Sequence, residues 1–184
     1  MSQKQQAMKK LSKVAYIITK VLQIVIYVAI GIMLASLIYM LAASTEQSIE
    51  IVTTGAVTVY SGIIADIDMG REETICLLSS SIVYAIIITA TLHYLGAVFK
   101  STCNEGSPFD PNNVKRLKRA AISIVLLSVI PAIVEVATES LMGTLGLISL
   151  HVDVVYIALA FFFFCLAYIF EYGAELQKQS DETL

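Results

Sequence analysis

Four long apolar stretches alternate with polar ones along the 184 residues. The first runs from Val14 to Ala43, with Lys20 and Gln23 as its main polar exceptions. The second, Ile75 to Phe99, is interrupted chiefly by Ser79-Ser80-Ser81 and His93, and the third, Ala120 to Met142, contains Pro131, Glu135 and Glu139. The last runs from Val154 to Phe170 around Phe161-Phe162-Phe163-Phe164. A hydrocarbon core about 30 Å thick needs roughly 20 residues at about 1.5 Å of rise each, so the pattern predicts four crossings. The expected fold class is an all-α integral membrane protein: a single four-helix domain over 1–184 with spans at about 14–43, 75–99, 120–142 and 154–170. Pro131 is expected to kink the third helix, which neighbours in a bundle tolerate.

The polar segments set the orientation. Residues 1–13 carry Lys4, Lys9, Lys10 and Lys13 and no acid, and read as a loosely structured lead-in or an interfacial start of the first helix. Residues 44–74 hold six acids against Arg71 alone, and their β-branched runs 49–53 and 56–60 around Thr54-Gly55 allow a short β-hairpin. Loop 100–119 and the charged tail 171–184, which is expected to extend the last helix into the cytoplasm, complete the plan. Of the 12 basic residues, 11 fall on the side of the termini and loop 100–119. Cations resist translocation, so both termini are expected in the cytoplasm, with 44–74 outside. Ala42-Ala43-Ser44 after a basic, apolar start superficially matches a secretory signal, but signal cores run only about 7–15 residues, so this segment is read as the first span.

Composition agrees: 57% apolar and 15% charged residues with mean hydropathy +0.78 lie outside the soluble range. The net charge of −3 says less than the segregation of its signs. Cys76, Cys103 and Cys165 form no C-x-x-C and are expected outside, inside and within the bilayer, which argues against a disulfide or structural zinc.

Loop 100–119 organises the chain. Asp110 suits a helix N-cap and Pro111 the first helical position, so the turn is expected to feed a helix that enters the membrane. Val114, Leu117 and Ala121 share one face of that helix, and Lys115, Arg116, Lys118 and Arg119 cover much of the rest. Within the spans, Glu135 and Glu139 lie one turn apart. Counting from Ala120 puts them about 22 and 28 Å across, with Glu135 expected to face the bundle interior or a wet vestibule. His93, Lys20, Gln23 and Glu171 fall at one depth near the inner headgroups, where pairing of Glu171 with Lys20 or Lys100 is one reading. The other sets Lys115, Arg116, Lys118 and Arg119 of the turn beside Glu171, Glu175, Asp181 and Glu182 of the tail, so that charge pairing holds the tail in place. Gly31 with Ala35 offers a weak close-packing signal. No nucleophile elbow, phosphate-binding glycine loop, dinucleotide fingerprint or metal-binding histidine spacing occurs, so no catalytic, cofactor or metal residue is assigned.

Gly106-Ser107-Pro108-Phe109 leading into Asn113-Val114-Lys115-Arg116-Leu117, and the ending Phe170-Glu171-Tyr172-Gly173-Ala174-Glu175-Leu176-Gln177 with Asp181-Glu182-Thr183-Leu184, carry a resemblance. They resemble the bacterial membrane family called domain of unknown function 2975, in which a G-x-P-F turn precedes N-x-x-R-L. Its chains close on F-x-x-G-x-x-L-Q and an acidic end; here Lys178 and Gln179 stand where it often shows acids. The resemblance implies a protein of the bacterial inner membrane without established biochemistry, whose members are commonly encoded beside a small helix-turn-helix regulator.

The leading expectation is a non-enzymatic protein whose cytoplasmic face, loop 106–119 plus the tail, docks such a regulator without binding nucleic acid itself. Homo-oligomerisation stays open, and the lipid bilayer is the other expected partner. Two alternatives are a small ion-coupled permease using Glu135 and an envelope-stress sensor using the acidic outer loop. A cysteine placed at Ser107, or a reporter fused after Leu184, is expected to stay shielded from membrane-impermeant reagents added outside intact cells; labelling there would overturn the orientation.

Overall fold

A computed structural model of the chain describes residues 3–42, 71–105, 109–142 and 154–182. Four helices occupy nearly all of them: α1 (Gln3–Ala42), α2 (Arg71–Glu105), α3 (Pro111–Met142) and α4 (Val154–Glu182). Each is long and apolar enough to cross a membrane, and the chain is a multi-pass membrane protein. The described residues contain no strand, and the hairpin expected within 49–60 lies outside them.

Every helix outruns its apolar stretch. α1 begins at Gln3, so the lysine-rich lead-in is helical, and α2 includes Glu72 and Glu73, which the sequence pattern assigns to the outer loop. At its other end α2 continues through Lys100 to Glu105, where a loop is expected, and α4 extends to Glu182. The apolar run fixes only the part that meets hydrocarbon. Beyond it Glu, Lys and Gln are good helix formers, and nothing stops the helix before a breaker arrives. α3 continues through Pro131 without interruption.

Contacts group the chain into two compact units, one drawn from Met1–Ile26, Ile87–Ser128 and Asp153–Leu184, the other from Tyr27–Ile86 and Val129–Val152. In the first, Val98 of α2, Leu117 of α3 and Ala167 of α4 form a buried cluster, with Leu95, Phe163, Leu166 and Phe170 packed around it. Small residues let helices approach: Ala120, Ala121 and Ala167 are fully buried, and a β-carbon added at Gly96 would lie 3.2 Å from Thr19 Cγ2 of α1. Buried Gln23 of α1 donates to the Thr89 carbonyl of α2 at 3.4 Å. In the second unit, Met40, Ile75 and Leu78 form the buried cluster, flanked by Met33 and Leu37. Of the three serines in the apolar run there, Ser79 bonds to the Ile75 carbonyl (2.7 Å) and Ser80 to that of Leu77 (3.1 Å) in their own helix, whereas the buried Ser81 hydroxyl has no partner among the described residues.

Burial is unequal among the helices. In the most apolar windows of α2 and α3, 39% of residues are buried, against 6% in α1 and 11% in α4. Most of the apolar surface of α1 and α4 therefore has no partner among the described residues and suits lipid. Gly31 illustrates this, since an added β-carbon there would meet nothing within 4 Å.

Gly96→Leu is accordingly expected to cost about 1–3 kcal/mol of stability in detergent, because the added side chain is driven into α1. Gly31→Leu is expected to stay within about 0.5 kcal/mol of the parent in the same denaturation experiment.

Candidate functional site

The start of α3 is built by its own residues. Asp110 Oδ1 accepts from the backbone N–H of Asn112 at 3.1 Å and from its side-chain amide at 3.4 Å. The Asp110 carbonyl accepts from Asn113 N (2.8 Å) and Val114 N (3.3 Å). Asp110 thus caps the helix that Pro111 opens, and its carboxylate faces the positive end of the helix dipole.

Further along, the side chains reach outward to other helices. Asn113 is fully buried, and its Oδ1 accepts from Arg116 Nη1 at 2.9 Å. The same nitrogen donates to the Ala97 carbonyl of α2 at 3.3 Å, so one guanidinium ties the cap of α3 to α2. Leu117, one residue on, enters the cluster with Val98 and Ala167.

α4 completes the surface. Phe109 packs its ring against Phe170 with centroids 5.4 Å apart and planes tilted by 57°. It also lies over Gly173: a β-carbon there would fall 2.5 Å from Phe109 Cδ1 and 2.7 Å from Cε1. Only a residue without a side chain leaves room for that ring. Lys118 Nζ donates to both carboxylate oxygens of Glu171, at 2.9 and 3.1 Å, and stands 5.5 Å from the centre of the Tyr168 ring. Beside these contacts runs an open groove of about 800 Å³, lined by Phe109, Lys115, Lys118, Glu171, Glu175 and Lys178 among others. Three lysines, Lys115, Lys118 and Lys178, line it with four carboxylates, Asp110, Glu171, Glu175 and Glu182, and Phe109, Pro111, Val114 and Ala174 supply apolar lining. Lys178 also bonds Glu182 along α4 at 3.7 Å.

The two sequence motifs are therefore one physical surface. A family model described as "Protein of unknown function (DUF2975)" matches residues 50–184. The chain belongs to that family. The match covers α2, α3 and α4 and leaves α1 outside it. Comparison with curated proteins and with solved structures found no match.

The remaining candidates are dispersed. Leu176 is exposed on α4, Gln177 lines the groove, and Asp181 lies in the last turn of α4, whereas Gly106, Pro108 and Thr183 fall outside the described residues. Glu171 pairs with Lys118 rather than with Lys20 or Lys100. The Leu117–Ala167 contact dictates this, since it sets the residue after Leu117 beside the turn after Ala167. The rest of the expected inner cluster does gather, with Lys20 Nζ donating to Gln23 Oε1 at 2.9 Å and sharing a cavity with His93. Glu135, expected to face the bundle interior or a wet vestibule, is exposed, and Glu139 is half-buried. Thr138 between them bonds to the carbonyls of Val134 and Glu135 in its own helix. Among the described residues no three His, Cys, Asp or Glu side chains gather as a metal site, and the three cysteines are unbridged.

The groove's residues outside the family motifs, Lys115, Glu175 and Lys178, carry a sequence signal only in retrospect, as charges spaced along the two helix ends. Gly173→Ala is expected to unseat the Phe109 ring and cost about 1 kcal/mol. Combined with Phe109→Ala it should cost less than the sum of the single changes, a coupling of about 0.5–3 kcal/mol in a double-mutant cycle by denaturation.

Proposed function

We propose that the chain is a non-enzymatic protein of a bacterial inner membrane whose cytoplasmic face docks a soluble regulator of the helix-turn-helix DNA-binding class. The observation that carries this reading is the seat of Phe109 on Gly173 and Phe170, which joins the turn before α3 to the end of α4 along one groove. The bias of lysine and arginine toward this end supports its cytoplasmic placement. A groove that combines apolar lining with charges of both signs suits a peptide or helix face from a soluble protein, with the apolar residues giving affinity and the charges giving register.

The latch between the two segments is weak because of its surroundings. Lys118 and Glu171 are about 37% and 51% exposed, and such pairs are worth about 0.2–1 kcal/mol. A partner presenting its own carboxylate or ammonium can therefore replace one member at small cost, while the apolar seat beneath stays in place. The transport alternative rests on Glu135, which is exposed and lines neither of the two described cavities.

Two measurements test the proposal. Photo-crosslinking residues placed at Lys115 or Glu175, both exposed on the groove, are expected to trap a DNA-binding protein in intact cells, and one placed at Ile133 is not. Absence of any such adduct from the groove positions would sink the docking reading. Separately, Lys118→Glu is expected to raise protease cleavage of the tail severalfold, with recovery in the swapped pair Lys118→Glu/Glu171→Lys; an unchanged cleavage rate would remove the latch.

A further inference from the structure

A second cavity, of about 370 Å³, lies apart from the groove and differs from it in sign. Lys20 of α1, His93 and Lys100 of α2, and Arg116 of α3 line it, and its described lining includes no carboxylate. The groove, at the same basic end of the helices, alternates lysine with glutamate. A general excess of lysine and arginine set by topology does not account for this difference. Cations that only fix orientation are best dispersed in water, where they repel each other least. Here three converge on one concavity, from three different helices.

The donors are also held in place. Arg116 makes both its bonds, to Asn113 Oδ1 and the Ala97 carbonyl, through Nη1, and a guanidinium carries five N–H donors, so those on Nε and Nη2 remain for a ligand. Lys20 is steadied by Gln23, itself anchored on Thr89, and stands 6.0 Å from the centre of the Tyr16 ring, with two ammonium protons left over. Gly96 sits in the cavity wall, and its lack of a side chain lets α1 approach at Thr19, which brings Lys20 to the same space. Positions 93, 96, 97, 100, 101 and 104 of the lining follow helical spacing, so α2 offers it one continuous polar stripe. The volume falls within the about 300–1,000 Å³ of small-ligand sites.

We propose that this cavity binds a phosphate group, held by the Arg116 guanidinium and the Lys20 and Lys100 ammonium groups. Planar guanidinium donors beside point-charge ammoniums are the combination that recognises phosphate oxygens, and no carboxylate competes for them. The phosphate belongs either to an anionic lipid headgroup, for which a basic recess between membrane helices is a fitting seat, or to a soluble phosphate compound. The site is independent of the docking groove, and neither reading requires the other.

The full chain, purified in neutral detergent, is offered phosphatidylglycerol against phosphatidylcholine with retained lipid read by native mass spectrometry, and in parallel pyrophosphate with thermal stability as the readout. The double variant Lys20→Gln/Lys100→Gln is expected to weaken retention or stabilisation about tenfold or more. The charge-matched control Lys10→Gln/Lys13→Gln, outside the cavity, is expected to change it less than about twofold. Selective retention of phosphatidylglycerol identifies a lipid phosphate, and stabilisation by pyrophosphate without lipid selectivity identifies a soluble one. No preference for either probe, or equal loss in the control, overturns the site. Should the double variant fold poorly, Lys100→Gln alone, at an exposed rim position, is expected to show the same loss as a smaller shift, and unchanged binding there overturns the site equally.

Discussion

Hydrocarbon offers no partner for a peptide group, and that constraint shapes everything else in this protein. It forces each crossing into a helix, and it also removes most of the hydrophobic drive for one helix to prefer another over lipid. What remains to decide the packing is close approach and a few buried polar bonds. The described contacts are of those kinds. Gly96 meets Thr19, alanines at 120, 121 and 167 are buried without remaining surface, Gln23 reaches the Thr89 carbonyl, and Arg116 bridges Asn113 to Ala97. Large apolar side chains such as Ile24, Val28 and Phe161 stay on the outside, where lipid satisfies them as well as protein would.

At the basic helix ends the balance changes, because water returns and charges interact. Lysines and arginines crowd the first turns of α3, where the helix dipole is already positive, so the arrangement is unfavourable taken alone. Acidic groups offset it at two points, Asp110 at the cap and Glu171 from α4. A third patch, at Lys20, Lys100 and Arg116, has no carboxylate in its described lining, and this is why an anion from outside the chain is the natural complement there. One end of the molecule thus carries two surfaces of different chemistry, a groove that mixes lysines and carboxylates with apolar residues and a recess lined by cations with no carboxylate among its described residues.

The residues that carry the resemblance gain a physical meaning from this arrangement. Phe109 needs a residue without a side chain opposite it, which Gly173 supplies; Asn113 is the acceptor that orients Arg116; Leu117 fills the meeting point of three helices. These roles are structural before they are functional. They hold the turn and the end of α4 in one fixed relation, which is the condition for any partner to read them together.

The sequence by itself determined four helices, their approximate limits, the cap at Asp110 and the segregation of charge, because each depends on local composition and on a bilayer of fixed thickness. It also marked the two motif segments. It placed the basic turn beside the acidic tail, and Lys118 does take Glu171, but it did not single that pair out from those with Lys20 or Lys100, nor reveal that Phe109 seats on Gly173 or that the polar stripe of α2 faces Lys20 and Arg116. Those outcomes depend on which face of each helix meets which neighbour. Along apolar helices in lipid almost any face is acceptable to the chain's periodicity, so only the tertiary fit of glycines, alanines and a few buried amides decided them.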